Sequence, residues 1–598
     1  VTRRSRERLQ LLTLGALLGV CMLWPMWLAL QGAFRTHDDT GWTTWHVAEV
    51  FRDPVTREGL LHALAIAACV TAGTLMLSFG PAWVLSRFAF PGRSLLWGLL
   101  LLPMILPPFV GAIGLRHLLG RQGSLNALLL ELGLITESID FTGRGGFGSV
   151  VLLETLALYP IVLLNLTAAM ANLDPALEEA GAGLGAGGWT RFRRITLPMI
   201  RPGAFAGGVI VFIWAFTELG TPLMFEYRSV TSVQIFEGLK EMESSRRPYA
   251  LVAVMLTMAV LVYLLGRRVT GGRADALVAK ASMQRRDHRL RGWHAAACWL
   301  GLGSVAFVAA LPHLATLLAS LAPPGRWYGT VVPDGFTLQG WREAMTHPLA
   351  VRSIRNSLLL SVCATAAAVL VGFMASRLVV RGRIRGRGVV DAVVMLPLAV
   401  PGLVMAFGFV AMSLEWPFGG RMPGWLEGPA EALLPAAWFA WLQQAPLRPL
   451  VDILGADPNP FPLLATAYAV RRLPYVARSA AAGLQQTSVT LEEAATGLGA
   501  SWWRVQRRIV LPLVGASVLA GGLLAFSFSM LEVSDSLLLA QRERDYPITK
   551  AIYTLYDRLG DGELISSAMG VWAMALLAVT LLGAAGVMGR RMGALFRA

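Results

Sequence analysis

Long apolar runs alternate along this chain with short, polar, arginine-rich segments. Runs near 9–30, 60–85, 95–118, 150–170, 205–224 and 249–265 are each about 20 residues long, enough for a helix to cross the ~30 Å hydrocarbon core of a bilayer. A second series follows at about 293–321, 354–378, 389–414, 461–483, 514–539 and 564–588. The pattern predicts an all-α membrane protein of about twelve transmembrane helices in two sets of six. Arg3, Arg4, Arg6 and Arg8 precede the first run, which has no small-x-small cleavage pattern and reads as a spanning helix rather than a signal peptide. Pro103, Pro107 and Pro108 in the third run, and Pro397 and Pro401 in the ninth, remove helix hydrogen bonds and predict kinked or broken spans.

The polar segments contain an internal repeat. Residues 177–198 read LEEAGAGLGAGGWTRFRRITLP, and residues 491–512 read LEEAATGLGASWWRVQRRIVLP, every landmark displaced by 314 positions. Ungapped identity of polar and basic residues inside an apolar chain marks a duplication. The boundaries are 1–266 for the first repeat, 267–292 for a basic linker and 293–598 for the second repeat, with the repeated loops at about 171–200 and 485–514. In the first loop, Asp174 and Pro175 predict a helix start, Gly183, Gly185, Gly187 and Gly188 a break, and Trp189 to Ile195 a second short helix ended by Pro198. Pro103 and Gly114 correspond to Pro397 and Gly408 at a displacement of 294, so the second repeat carries a longer external insertion, Glu415 to Pro460, rich in Pro and Trp. Glu218 in the fifth span corresponds to Glu532 in the eleventh at the displacement of 314. An intramembrane carboxylate is costly and marks a functional-site candidate. Two readings stand for this pair: lining a translocation path together with Pro103 and Pro397, or capping helix breaks near Gly220 and Pro222.

Composition agrees with the pattern: 55% of the 598 residues are hydrophobic and 15% charged. Lys and Arg number 52 against 37 Asp and Glu, and in a membrane protein that excess belongs to cytoplasmic loops rather than to a nucleic-acid partner. The linker, with Arg267, Arg268, Arg273, Lys280, Arg285, Arg286, Arg289 and Arg291, and the tail, with Arg590, Arg591 and Arg597, then lie on one side, placing both termini in the cytoplasm. Cys21, Cys69, Cys298 and Cys363 lie in apolar runs without metal spacing and read as small core residues. Trp42, Trp45, Trp327 and Trp341 read as membrane-interface anchors. No P-loop, HExxH or GxSxG is present, so the chain offers no catalytic residues and no metal site, and reads as a transport subunit rather than an enzyme.

The repeated segment resembles the EAA loop of binding-protein-dependent ABC importer permeases: E-A-A, three residues, G, nine residues, I-x-L-P. Glu493-Ala494-Ala495, Gly499, Ile509 and Leu511-Pro512 fit it throughout, whereas the first copy has Gly181 for the second Ala, which predicts a weaker first helix. Two such repeats in one chain, with YAVRRLPYVAR from Tyr468 to Arg478, look most like the fused permeases of the ferric-iron group. The resemblance implies a permease of the bacterial inner membrane whose loops dock on two copies of a separate P-loop ATPase, where ATP and Mg reside. It also implies a periplasmic or lipid-anchored solute-binding protein, membrane lipid as surroundings, and no cofactor on this chain. Glu179, Ala180, Gly185, Trp189, Arg193 and Arg194 in the first loop, and Glu493, Ala494, Gly499, Trp502, Trp503, Arg507 and Arg508 in the second, would form the docking surface, the glutamates holding each loop by pairing with basic groups. Ferric iron is the implied substrate, with thiamine, polyamine, aminoethylphosphonate or a sulfate-like anion as alternatives. A secondary transporter driven by an ion gradient shares the plan of two parallel six-span halves, but not the repeated loop after the fourth span.

Overall fold

The computed structural model describes residues 3–588 apart from 38–40, 143–145, 243, 271–287, 399, 454, 456 and 559. In the first half the helices that matter below are α1 (Arg3–Leu18), α2 (Trp24–Phe34), α3 (Pro54–Arg87), α4 (Arg93–Ile105), α5 (Pro108–Leu119), α6 (Phe147–Ala171), α7 (Pro175–Gly183), α8 (Leu197–Thr217) and α9 (Arg247–Thr270). In the second half they are α10 (Trp293–Ala319), α11 (Pro348–Arg381), α12 (Arg387–Met395), α13 (Gly402–Leu414), α14 (Gly424–Leu433), α15 (Ala436–Gln443), α16 (Phe461–Gln486), α17 (Val489–Gly497), α18 (Leu511–Met530) and α19 (Gly562–Met588). Among the described residues nine helices are long and apolar enough to cross a membrane, and two bent pairs raise the number to eleven. The twelfth expected crossing is α16, 26 residues long but interrupted by Arg471, Arg472 and Arg478.

The prolines break the two spans where the sequence placed them. The third span turns through 92° ahead of Pro108, and the ninth through 104° between Leu398 and Gly402. The fifth and eleventh runs are also interrupted: α8 ends at Thr217 and α18 at Met530, each just before the intramembrane glutamate.

The chain folds into two compact units that do not follow the order of the repeats. One comprises residues up to 52, 235–256 and those from 341 on; the other comprises 53–234 and 257–340. The spans of the second repeat therefore receive α1 and α2 from the start of the chain. Leu14 and Leu18 of α1 are buried against Ala375 and Leu378 of α11, Val390 and Val394 of α12, and Leu473 and Ala477 of α16. Higher up, α2 crosses α13 at Gly408, where a Cβ would stand 2.7 Å from the Pro25 carbonyl oxygen. Within the other unit, α10 crosses α5 in the same way: a Cβ on Gly114 would stand 1.9 Å from the Pro312 carbonyl oxygen and 2.5 Å from the Thr316 nitrogen. Thr316 Oγ1 accepts from the Gly114 amide at 3.1 Å and lies 3.0 Å from the Val110 carbonyl oxygen. Close backbone approach through a small residue is how helices associate where lipid leaves no hydrophobic drive between them.

The two corresponding glycines are thus the contact points of the exchanged helices. Gly114→Ala and Gly408→Ala are each expected to cost about 1–3 kcal/mol through backbone displacement. The thermal unfolding midpoint in detergent should fall for both and not for Gly98→Ala, since a Cβ on Gly98 would meet nothing within 4 Å.

Some expectations are corrected. Trp327 is no interface anchor: it is buried, stacked on His117 with ring centroids 4.7 Å apart, and donates Nε1–H to Ser124 Oγ at 3.1 Å. An indole with a hydroxyl acceptor within reach loses nothing by burial. The four cysteines are not core residues, since Cys69 and Cys363 are exposed on their spans and Cys21 and Cys298 partly so; a thiol is apolar enough for a helix face turned to lipid. Most of the basic linker, 271–287, and the arginines of the tail lie outside the described residues. Of the linker, His288–Arg289 pairs in parallel with Phe88–Ala89.

Candidate coupling loops and intramembrane charges

The two repeated loops fold alike from like sequence. Asp174 caps α7 by accepting from the Ala176 amide at 2.9 Å, with Pro175 in the first turn; Ser488 does the same for α17 through the Thr490 amide at 3.2 Å. Both helices end in a left-handed glycine, Gly185 and Gly499, each with φ +80°. The following amides close the turn, Ala186 N–H on Gly181 O and Ala500 N–H on Ala495 O, both at 3.0 Å. Side chains in that backbone region cost about 1–2 kcal/mol. Gly185→Ala and Gly499→Ala are accordingly expected to speed amide hydrogen exchange within 183–188 and 497–502 while exchange in the spans stays unchanged.

Beyond each glycine, one α turn (Gly188–Arg191, Trp502–Val505) leads through one π turn (Phe192–Thr196, Gln506–Val510) straight into α8 and α18. Pro198 was expected to end the second short helix. The helix instead runs on through it, because the π turn inserts an extra residue just where the proline lacks its donor.

Each loop is fastened to the second span of its repeat by the glutamate one position before the Glu-Ala pair. Glu178 pairs with Arg87 at the end of α3 and accepts from Thr196 Oγ1 at 2.7 Å. Glu492 accepts from Arg381 Nε at 3.1 Å and lies 3.6 Å from Arg377 Nη2, both at the end of α11. Glu179 and Glu493, expected to do the holding, are exposed, and Glu493 only approaches Arg383 at 3.9 Å. A Cβ at Gly181 would stand 2.8 Å from Ile195 Cδ1. Ala495 in the second copy packs on the cluster of Leu484, Val505 and Val510.

What the loops present outward is apolar. Leu184 is 89% exposed and Leu498 90%; Trp189 is 72% exposed and Trp503 76%, and each pair is 314 positions apart. Ala180, Gly185, Arg193, Arg194, Ala494, Gly499, Arg507 and Arg508 are exposed around them. Trp502 is turned in, under the Arg377 guanidinium at 4.7 Å from its ring centroid. Leu184 and Leu498 escaped the sequence reading, although each stands between two glycines, directly before the turn glycine of its copy. A leucine held almost wholly out of the protein, twice, at equivalent places, marks a surface made for a partner.

The intramembrane carboxylates lie in different surroundings. Glu532, 3% exposed, follows the break after α18 and is ion-paired with both Arg471 and Arg472 of α16. Arg471 Nη1 also lies 3.6 Å from buried Asp535, and Arg472 donates to the Phe528 carbonyl at 3.0 Å. Two cations and two carboxylates thus balance inside an apolar bundle. Gly402, first residue of α13, leaves the space that the Arg471 guanidinium fills. Glu218, half-buried, caps the short helix Gly220–Met224 that follows its break, its Oε1 accepting from Gly220 N at 3.1 Å and Thr221 N at 3.4 Å. At the positions equivalent to Arg471 and Arg472, α6 has Ala157 and Leu158. It carries instead Glu154, 1% exposed, with no hydrogen-bond partner on either oxygen among the described residues. Glu154 was missed because one carboxylate in an otherwise apolar run barely alters its hydropathy. Pro103 and Pro397 are buried at the breaks of their spans.

Comparison with known proteins follows the same duplication. The family described as "Binding-protein-dependent transport system inner membrane component" matches twice, over residues 73–270 and 368–594. A probable ABC transporter permease protein, y4fN of Sinorhizobium fredii, is 26% identical over 509 residues, covering 84% of this chain and 82% of its own. The putative ferric transport system permease protein FbpB 1 of Haemophilus influenzae is 24% identical over 495 residues, 78% of this chain and 68% of its own. The molybdenum transport system permease protein ModB of Escherichia coli is 32% identical over 168 residues, 28% of this chain and 71% of its own.

Proposed function

We propose, from the premise that this chain belongs to the family of inner-membrane components of binding-protein-dependent transport systems, that it supplies both halves of an importer's translocation path and docks one loop on each of two ATP-hydrolysing subunits. The observation that carries this reading is the matched pair of exposed Leu–Trp surfaces, Leu184 with Trp189 and Leu498 with Trp503. Each loop is braced by a half-buried ion pair to the second span of its repeat and runs through a π turn into the span that follows it. Force applied at the loop is therefore delivered to two spans at once. ATP and Mg belong to the partner, and the chain itself contributes no catalysis. With both loops on the ATPase side, both termini face the cytoplasm. The family assignment displaces the gradient-driven alternative.

Ferric iron is the substrate we favour. Support comes from the ferric relative, which aligns with most of this chain as one polypeptide, whereas the molybdenum relative covers little more than a quarter. Selection would rest mainly with a solute-binding protein outside the membrane. The test is purification in mild detergent with identification of what accompanies the chain, followed by uptake of labelled iron(III), molybdate and thiamine into vesicles. A co-purifying P-loop ATPase and ATP-dependent iron uptake support the proposal. Uptake indifferent to ATP depletion refutes the coupling, and ATP-driven uptake of another solute refutes iron alone.

A further inference from the structure

The insertion 415–460 has no counterpart of its length in the first repeat, and its middle carries helices α14 and α15. The α15 sequence, AAWFAWLQ, has no charged residue, and none of its eight residues is buried against the protein. Trp425 and Leu433 of α14 and Trp438 and Trp441 of α15 are each more than half exposed. Between Arg421 and Arg448 there is no Lys or Arg, and the only charges are Glu427 and Glu431. A helix apolar on all sides belongs in a core or in lipid, and here the protein provides no core for it.

The base of the insertion lies at membrane depth. Phe418 packs on Trp24, ring centroids 5.8 Å apart. Trp24 is ten residues before the end of the first span at Phe34, which is roughly 15 Å along the helix axis. Trp416 Nε1 then donates to the Leu442 carbonyl at 2.8 Å, and the Leu447 amide to the Pro417 carbonyl at 3.0 Å, so the far end of α15 is tied back to this same base. Glu427 accepts from Gln443 Nε2 at 3.0 Å, which gathers the polar groups on one side of the hairpin. Where the insertion returns to α16, Arg544 bonds Asp457 and the Pro458 carbonyl, and its hydrogen bond and charge hold the Asp457 carboxyl below the usual carboxylate range.

We infer that α14 and α15 form a hairpin embedded in the lipid of one leaflet, with Trp425, Trp438 and Trp441 at the boundary of headgroups and acyl chains. The occupant of this exposed surface is lipid because the hairpin starts from a contact inside the apolar depth of a spanning helix, and because tryptophans without neighbouring cations suit that boundary. The hairpin would pin the end of the broken ninth span, α13, to the bilayer. The inference rests on the spanning helices and not on the identity of substrate or partner.

The test places a nitroxide at position 438 (Trp438→Cys) or 433 (Leu433→Cys) in a full chain whose four native cysteines are replaced, reconstituted in nanodiscs of phosphatidylethanolamine and phosphatidylglycerol. Collisions with oxygen and with a water-soluble nickel chelate are compared with those of labels at Leu370, exposed on span α11, and Leu184, exposed on a loop. Both hairpin labels are expected to be reached by oxygen and to lose collisions with the chelate relative to Leu184, the label at 438 lying shallower than Leu370. Labels that behave like Leu184 overturn the inference. So do labels that are reached by the chelate and become shielded only when the solute-binding protein is added, which would assign the surface to that protein. Two label positions keep the outcome decisive if one substitution prevents folding.

Discussion

Replacing Leu184 and Leu498 together by Asp is expected to abolish ATP-driven uptake while the chain remains in the membrane in normal amount. Both side chains are almost fully exposed, so the substitutions remove no internal contact. A carboxylate buried unpaired in place of an apolar side chain costs an interface about 2 kcal/mol or more, so each loop is expected to bind its partner roughly 30-fold more weakly. The single variants should fall by similar factors, since the two surfaces are matched in exposure. The measurements are ATPase recovered per chain on affinity purification, and initial uptake rate in vesicles. Unimpaired recovery and uptake in the double variant would place docking elsewhere.

The second large effect is on folding. Glu532→Gln leaves two arginines facing one carboxylate in a buried site, and breaking a buried ion pair by removing one partner costs about 3–5 kcal/mol. Little folded protein should survive detergent extraction. Adding Arg472→Leu restores the balance, because Arg471 still faces Asp535 at 3.6 Å, and the double variant is expected to regain most of the loss. Size-exclusion profile and thermal midpoint read both. A double variant as unstable as Glu532→Gln would show that geometry, rather than charge balance, governs the cluster.

Much of this architecture could be read from the chain. Apolar length places the spans, because a bilayer imposes a length that few other environments demand, and the ungapped repeat places the loops. Pro103, Pro107 and Pro397 announced the broken spans, since a missing donor acts locally. What stayed hidden depends on contacts between distant residues. That Glu532 meets Arg471 and Arg472 requires knowing how α16 packs on α18, and Glu532 lies 60 positions or more from either arginine. Glu178 and Glu179 are adjacent and chemically identical, and only the direction of each side chain on α7 separates the anchor from the exposed surface. Leu184 looks like any helix leucine until its exposure is known. Most of all, nothing in the repeat indicates that α1 and α2 join the spans of the second repeat.

That exchange sets a timetable for synthesis. The helix that crosses Pro25, at Gly408, emerges about 380 residues after it, which at about 5–20 residues per second is roughly 20–80 s. During that interval α1 and α2 are in the membrane without their partner, while α5 waits a shorter time for α10. The first repeat is thus completed by a helix translated after it, and α1 and α2 reach their site only once the second repeat is being made. A pause or truncation before residue 408 would leave the amino-terminal helices as an orphan pair, open to the cell's membrane quality control.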